Sequence, residues 1–293
     1  MRAAALSAPR LRDGGGRGAL STASSGTEPL TETQLARQLT ALGIEEGGVL
    51  MVHASLRSLG RAEGGADTVL SALRRALGPD GTLVVPAFTS DNSDRSAAHL
   101  ERVRGLSDEA RTAFRESMPP FDRATTPSTG LGILAETTRL HPRSLRSAHP
   151  QTSFAALGPH AAQIVEDHSP DCHLGESSPL ARLYDLRAQI LLLGVGYDRC
   201  TAFHLGEYRV KAPPRRSYRC VIRLNGRRQW WEYDDIALDD SDFGTLGADF
   251  EAAKAGAVRS GPVGKAHCRL VNFAEAVDYA RNWLPAHRPA TAP

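Results

Sequence analysis

The sequence predicts an α/β fold: a mixed, partly parallel central sheet flanked by helices, with an antiparallel hairpin appended. Three observations carry this expectation. GVLMVH, TLVVPAF and QILLLGVG are apolar runs of strand length without polar alternation, as expected of strands covered on both faces. Segments with helical apolar spacing stand between them, which is the order of βα units. Asn225-Gly226 joins YRCVIRL to RQWWEYDDI, the strongest short signal for a two-residue hairpin.

In chain order, residues 1–28 are rich in Arg, Gly, Ser and Ala and hold too few large apolar side chains to offset ordering entropy. They predict a disordered tail, with an organellar transit peptide and a misassigned start as alternatives. A single domain is expected over 29–288. Thr31-Glu32-Thr33-Gln34 has capping-box spacing, Leu35, Leu39 and Leu42 form the apolar stripe, and Gly43 ends the first helix. GVLMVH is the first strand, followed by the turn-like ASLRSLG. A helix over Asp67 to Leu77 stops at Gly78-Pro79-Asp80-Gly81, before the strand TLVVPAF.

Residues 90–128 carry charges of both signs and Pro119-Pro120, the composition of an exposed insertion able to wall an acceptor site. GLGILAETTRL is expected to be helical, TSFAALG extended, HAAQIVE helical, SPLARLYDL helical from its Ser-Pro start, and QILLLGVG a buried strand. A helix is expected from Cys200 to Lys211. Residues 213–262 form a hairpin-containing subregion, and a last helix starts at Asn272 with Glu275 at the capping-box position.

Composition narrows the function classes. A net charge of +2 over 293 residues supplies no field for nucleic acid or an anionic membrane. No apolar run approaches the roughly 20 residues of a membrane span, and the N-terminal segment lacks the apolar region of a secretory signal. A cytoplasmic protein, monomer or homodimer, is expected. Cys172, Cys200, Cys220 and Cys268 are too dispersed for a disulfide framework and are expected as thiols.

Reactive side chains concentrate between His149 and Lys211, which holds five of the ten histidines. Pro170 ends a helix just after His168, leaving the imidazole at a helix-to-loop junction; spacing alone allows a base or a surface helix-end histidine. His204 and Glu207 stand three apart on one helical face, where an imidazole and a carboxylate converge, although an ordinary helix pair, with Glu207 to Lys211 as a further one, has the same spacing. His168, Cys172, His173, Cys200 and His204 are metal-capable donors without a Cys-x2-Cys or His-Glu-x-x-His signature. No metal is therefore expected, with a zinc hydrolase as an alternative. No Gly-x-Ser-x-Gly elbow is present.

Read in order, MVHASLRSLG, DGTLVVPAFT, MPPFDRATTPSTGLG, HPQTSFAALG, SPLARL, ILLLGVGYDRCTAFHLGEY and GPVGKAHCRLVNF make the chain resemble the aminoglycoside 3-N-acetyltransferases. The likeness runs from about Leu30 to Leu284. It implies transfer of acetyl from acetyl-CoA to an amine, the 3-amino group of a 2-deoxystreptamine aminoglycoside, and hence antibiotic resistance. The implied fold is distinct from that of the small GNAT acetyltransferases. Matching the family's segments residue by residue makes His168 the base and Glu207 its supporting carboxylate. The turn His53-Ala54-Ser55-Leu56-Arg57 and Ser178 become coenzyme contacts; Thr89 is expected beside them, with a backbone N–H or hydroxyl near Ser55 or Thr89 to stabilise the oxyanion.

The implied chemistry needs a base, because an alkylammonium near pKa 10.4 must lose its proton, and histidine, near 6.5, cycles at neutral pH. A polycationic acceptor would need carboxylates; Asp91, Asp94, Asp171 and Glu176 are the candidates. The phrase from Pro170 to Glu176 departs from many resistance enzymes, and the regions Asp91 to Glu116 and Asp239 to Ser260 diverge. Acetylation of another small amine in biosynthesis, and coenzyme binding without turnover, therefore stand as alternatives.

Overall fold

The computed structural model describes residues 28–89 and 92–288, so the expected tail up to Thr27, and Asp91, lie outside the described residues. The first helix, α1 (Glu32–Leu42), opens with a complete capping box: the Thr31 hydroxyl accepts from the Gln34 amide at 3.3 Å, and the Gln34 side chain accepts from the Thr31 amide at 2.8 Å. Then come β1 (Val49–Ala54), α2 (Leu56–Leu59), α3 (Ala66–Leu77) and β2 (Thr82–Pro86). The charged insertion holds α4 (Ala97–Arg102) and α5 (Asp108–Ser117), and α5 buries none of its residues. Next are α6 (Ile133–Leu140), β3 (Leu145–Arg146), β4 (Phe154–Leu157), α7 (Ala161–Val165), α8 (Pro179–Asp185) and β5 (Gln189–Leu193). The last part is α9 (Phe203–Tyr208), the hairpin β6 (Arg215–Leu224) and β7 (Arg227–Ile236), α10 (Phe243–Ala253), β8 (Val258–Val263), β9 (Ala266–Asn272) and α11 (Phe273–His287).

The main sheet runs β3-β4-β2-β1-β5-β9-β8. Its centre is parallel, β1 lying between β2 and β5, while every outer pairing is antiparallel. The central strands are apolar because both faces are covered, with polar side chains only at the starts of β2 and β5 (Thr82, Gln189) and near the end of β1 (His53). Met51, Val84, Ile190 and Leu192 face a core shared with α7 to α11; Leu50, Val52, Leu83, Leu191 and Leu193 face one shared with α1, α3 and α6. The pattern from 258 to 272 adds β8 and β9 to the edge of this sheet.

The hairpin forms its own two-stranded sheet. Its turn residues Asn225 and Gly226 have φ of 50° and 74°, the double positive φ of a type I′ turn. The helix expected from Cys200 starts later, at Phe203, after a 3-10 turn over Tyr197–Arg199. Among the described residues no helix is long and apolar enough to cross a membrane.

Candidate active site

At the C-terminal ends of the parallel strands the loops diverge and leave a cleft, the usual place for a ligand in an open α/β sheet. Its walls are Ser55 to Arg57 after β1, Gly130 to Ala135 leading into α6, and Gly194 to Thr201 after β5. The cleft measures about 840 Å³, within the range of small-molecule sites. Gly194 makes the junction possible. Its φ is 65°, and a Cβ there would stand 2.7 Å from Ser58 Cβ, while the Ser58 hydroxyl donates to its carbonyl at 3.1 Å.

Two imidazoles lie in the cleft wall. His53, near the end of strand β1, is buried, and its Nε2 meets no hydrogen-bond partner among the described residues. Burial, then the neighbouring His204 and Arg199, push its pKa down to about 3, so it is neutral. His204 projects from α9, and its Nδ1 lies 2.6 Å from Glu207 Oε2. A carboxylate only accepts, so Nδ1 carries a proton, and in the neutral imidazole the lone pair falls on Nε2. Glu207 is 4% exposed, and its other oxygen accepts from the Asp239 amide at 3.2 Å and from Arg288. The result is an imidazole held by a fully engaged carboxylate.

The first turn of α2 supplies donors. The amides of Leu56 and Arg57 lack intrahelical acceptors, as at any helix start. The Ser55 amide is taken by Leu193, and its hydroxyl lies 3.3 Å from that of Ser58, whose one proton already goes to the Gly194 carbonyl, so the Ser55 proton can turn to Ser58 or into the cleft. Arg57 and Arg199 bring positive charge and Asp198 and Asp240 negative charge to the lining.

His168 occupies a different environment from the expected one. It lies beyond α7, 4% exposed, with Nδ1 2.9 Å from the Ser147 hydroxyl and Nε2 2.9 Å and 3.1 Å from the carbonyls of His173 and Cys172. Carbonyls cannot donate, so Nε2 holds the proton and Nδ1 accepts from Ser147; neither nitrogen is free. Burial lowers its pKa to about 4 against the raising effect of the two carbonyls. The expected His168–Glu207 pair is therefore not formed. One turn of α9 gives the carboxylate to His204, and His168 belongs instead to a sealed cluster with His149, ring centroids 4.8 Å apart.

The hairpin caps that cluster. Asp235 of β7 accepts from the His173 backbone amide at 2.8 Å and from its ring Nδ1 at 2.9 Å, and also from the Tyr208 hydroxyl. Burial alone would raise the Asp235 pKa, but these donors outweigh it and the carboxyl stays below its usual range.

Other expected contacts are corrected by the same accounting. Thr89 gives its hydroxyl to Pro150 and its amide to Gln151, so neither is available as an oxyanion donor. Ser178 is the N-cap of α8, accepting from the Leu180 amide at 3.2 Å and donating to Gly175 at 2.6 Å, away from the cleft lining. Asp94 is gripped by Arg219 of β6, with Nε at 3.1 Å, and Glu176 by Arg209 at 2.7 and 3.2 Å. Asp171 is exposed and accepts from Ser169. The candidate metal donors do not converge: among the described residues no three His, Cys, Asp or Glu side chains form a metal-binding group. Cys200 is buried, which pushes its thiol up to about 12.

The family model of the aminoglycoside 3-N-acetyltransferases matches residues 51–285. The chain belongs to this family. It is 37% identical over 261 residues to the aminoglycoside N(3')-acetyltransferase-like protein YokD from a Bacillus subtilis prophage, covering 89% of this chain and 94% of that protein. The crystal structure of YokD superposes with a TM-score of 0.84, covering 92% of this chain and 98% of YokD. AAC-IIIb, solved as a binary complex with CoASH, is 31% identical with a TM-score of 0.77, over 91% of this chain and all (100%) of that one. A histidine-to-alanine mutant of AAC(3)-IVa, solved in complex with a gentamicin, is 35% identical with a TM-score of 0.73, over 89% and 90% of the two chains. The protein is thus an acyltransferase of the aminoglycoside 3-N-acetyltransferase family.

The i,i+3 spacing of His204 and Glu207 is legible in the sequence, whereas the family resemblance points to His168. Asp235 and Arg288 are not legible there. Nothing local marks either one, since their partners lie 62 and 81 residues away along the chain.

Proposed function

We propose that this acyltransferase moves acetyl from acetyl-CoA to an amino group held in the cleft, with His204 as the base and Glu207 as its support. One observation carries the reading: His204 is a carboxylate-backed imidazole with an unspent nitrogen on the cleft wall. The acceptor enters as an ammonium, and losing its proton at pH 7 costs about 5 kcal/mol for a pKa near 10.4. His204 Nε2 takes that proton. The amine nitrogen then bonds to the thioester carbonyl carbon, the C–S bond breaks and the coenzyme leaves as a thiolate that is protonated from His204, while the second proton of the attacking nitrogen passes to solvent, so that one proton is released per amide formed. The Ser55 hydroxyl and the amides of Leu56 and Arg57 are the donors for the coenzyme and the oxyanion, with the Arg57 charge beside them. The CoASH complex of AAC-IIIb supports the choice of donor, and an acetyl-CoA-dependent reaction fits a cytoplasmic protein.

The family supports the 3-amino group of a 2-deoxystreptamine aminoglycoside as acceptor, with antibiotic resistance as the outcome; the gentamicin complex of AAC(3)-IVa agrees with it. A second acceptor, a small amine of low charge, is favoured by the arginine partners of Asp94 and Glu176, which neutralise carboxylates that a polycation would use. Thiol release from acetyl-CoA, measured with gentamicin and with a small monoamine, decides between them. Activity with neither ends the acetyltransfer reading. His204→Ala and His168→Ala test the base: loss of turnover only in the His168 variant would return the role to His168.

A further inference from the structure

We infer that Arg288, at the end of the last helix, is a positioning residue for the catalytic pair, locking the Glu207 carboxylate in the orientation that presents His204 to the cleft. This rests on His204 being the base.

Arg288 follows directly on α11 and turns back toward α9. A guanidinium has five donors in a rigid plane, and this one spends them in three directions. Nε reaches Asp242 Oδ2 at 2.7 Å, Nη2 reaches the Asp239 carbonyl at 2.6 Å, and Nη1 reaches Glu207 Oε1. The first two contacts suffice to clip the chain end to the loop ahead of α10. The third does something else, because Glu207 Oε1 and Oε2 are the two ends of one planar group and Oε2 holds His204. Fixing Oε1 fixes the plane in which Oε2 meets the imidazole.

Without Arg288, Oε1 would keep only the Asp239 amide at 3.2 Å, and a carboxylate 4% exposed would lose its counter-charge. That charge also matters during turnover. While His204 holds the acceptor's proton, the arginine keeps the carboxylate anionic, so the proton stays on the imidazole, where the departing thiolate can collect it. A second contact runs through Phe243, whose ring lies 4.7 Å from His204 and 5.9 Å below the Arg288 guanidinium. Arg288 thus bears on the base through both its carboxylate and the aromatic ring packed against it.

The test uses the full chain carrying Arg288→Gln, Arg288→Lys or Asp242→Asn. Each variant is measured for kcat, for KM with acetyl-CoA and for thermal midpoint. Arg288→Gln is expected to lower kcat about 10- to 100-fold, as for loss of a group that orients a functional ligand, with KM for acetyl-CoA within about twofold. Arg288→Lys, which keeps a charge for Glu207, should recover at least a third of the loss on a logarithmic scale. Asp242→Asn should reduce the thermal midpoint while kcat stays within about threefold, because it weakens only the clip. Wild-type kcat in Arg288→Gln, an equal loss of kcat in Asp242→Asn, or no recovery with lysine would each overturn the inference. If His204→Ala is inactive while Arg288→Gln is normal, only this inference falls; an active His204→Ala removes the base assignment beneath it.

Discussion

His204 and His168 have similar chemistry and sit 36 residues apart in neighbouring parts of one core, yet their surroundings differ in the respect that matters for a base. His204 gives one nitrogen to a carboxylate and leaves the other on the cleft wall. His168 gives one nitrogen to a hydroxyl and the other to two carbonyls, and it is sealed beneath the hairpin with His149 and His173. Burial matters less than how the lone pairs are spent. A carboxylate partner raises the basicity of an imidazole, whereas an accepted hydroxyl proton occupies the lone pair a base would use.

That contrast is most exposed to removal of the cleft imidazole. His204→Ala should cut kcat by about 10² to 10⁴ with coenzyme binding retained, whereas His168→Ala, assayed on the folded fraction, should turn over at close to the wild-type rate. Steady-state kinetics of the two, corrected for folded protein, checks this, and the reverse ranking would exchange their roles.

The sealed cluster should respond in stability instead. Asp235→Asn weakens the charge-assisted hydrogen bonds from the His173 amide and ring and from the Tyr208 hydroxyl and loosens the hairpin, with an expected loss of about 3 kcal/mol. Chemical denaturation measures it; a loss under 1 kcal/mol would mean that the hairpin is held by other contacts.

On the cleft side, Glu207→Gln preserves shape but leaves Arg288 facing a neutral group and offers His204 a weaker acceptor. A fall in kcat of roughly 10- to 100-fold is expected, with thermal stability less affected than in Asp235→Asn. Equal kcat for Gln and Glu would show that the carboxylate charge plays no part.

The last comparison concerns pH. The unfolded chain binds a proton at each imidazole near pH 6.5, but folded His168 refuses one until about 4 and folded His53 until about 3. The unfolded state therefore holds more protons as pH falls from 6.5, and stability should decline by up to about 1.4 kcal/mol per pH unit for each imidazole. Unfolding free energies between pH 6.5 and 5 test the slope, and His168→Gln should reduce it by one imidazole's share. An unchanged slope in that variant would contradict the buried, neutral state of His168.

Much of the architecture was legible in the sequence because its determinants are local. Thr31 and Gln34 are close enough to cap each other, Asn225-Gly226 tolerates the two positive φ angles of its turn, and the apolar runs declare strands buried on both faces. The family too was legible, from phrases in order along the chain. His204 and Glu207 were visible as an i,i+3 pair, a spacing that ordinary surface helices share.

Nothing local states which nitrogen of an imidazole is left unspent. That depended on Ser147 and the His173 carbonyl closing around His168, on β7 bringing Asp235 to His173, and on α11 returning Arg288 to Glu207. Except for the His173 carbonyl, five residues from His168, these contacts join segments 21 to 81 residues apart. The sequence alone thus determined the elements, the family and the kind of side chains available for acyl transfer. Tertiary structure decided which imidazole keeps a lone pair at the cleft, because hydrogen-bond partners are assigned by proximity in space and each lone pair can be spent only once.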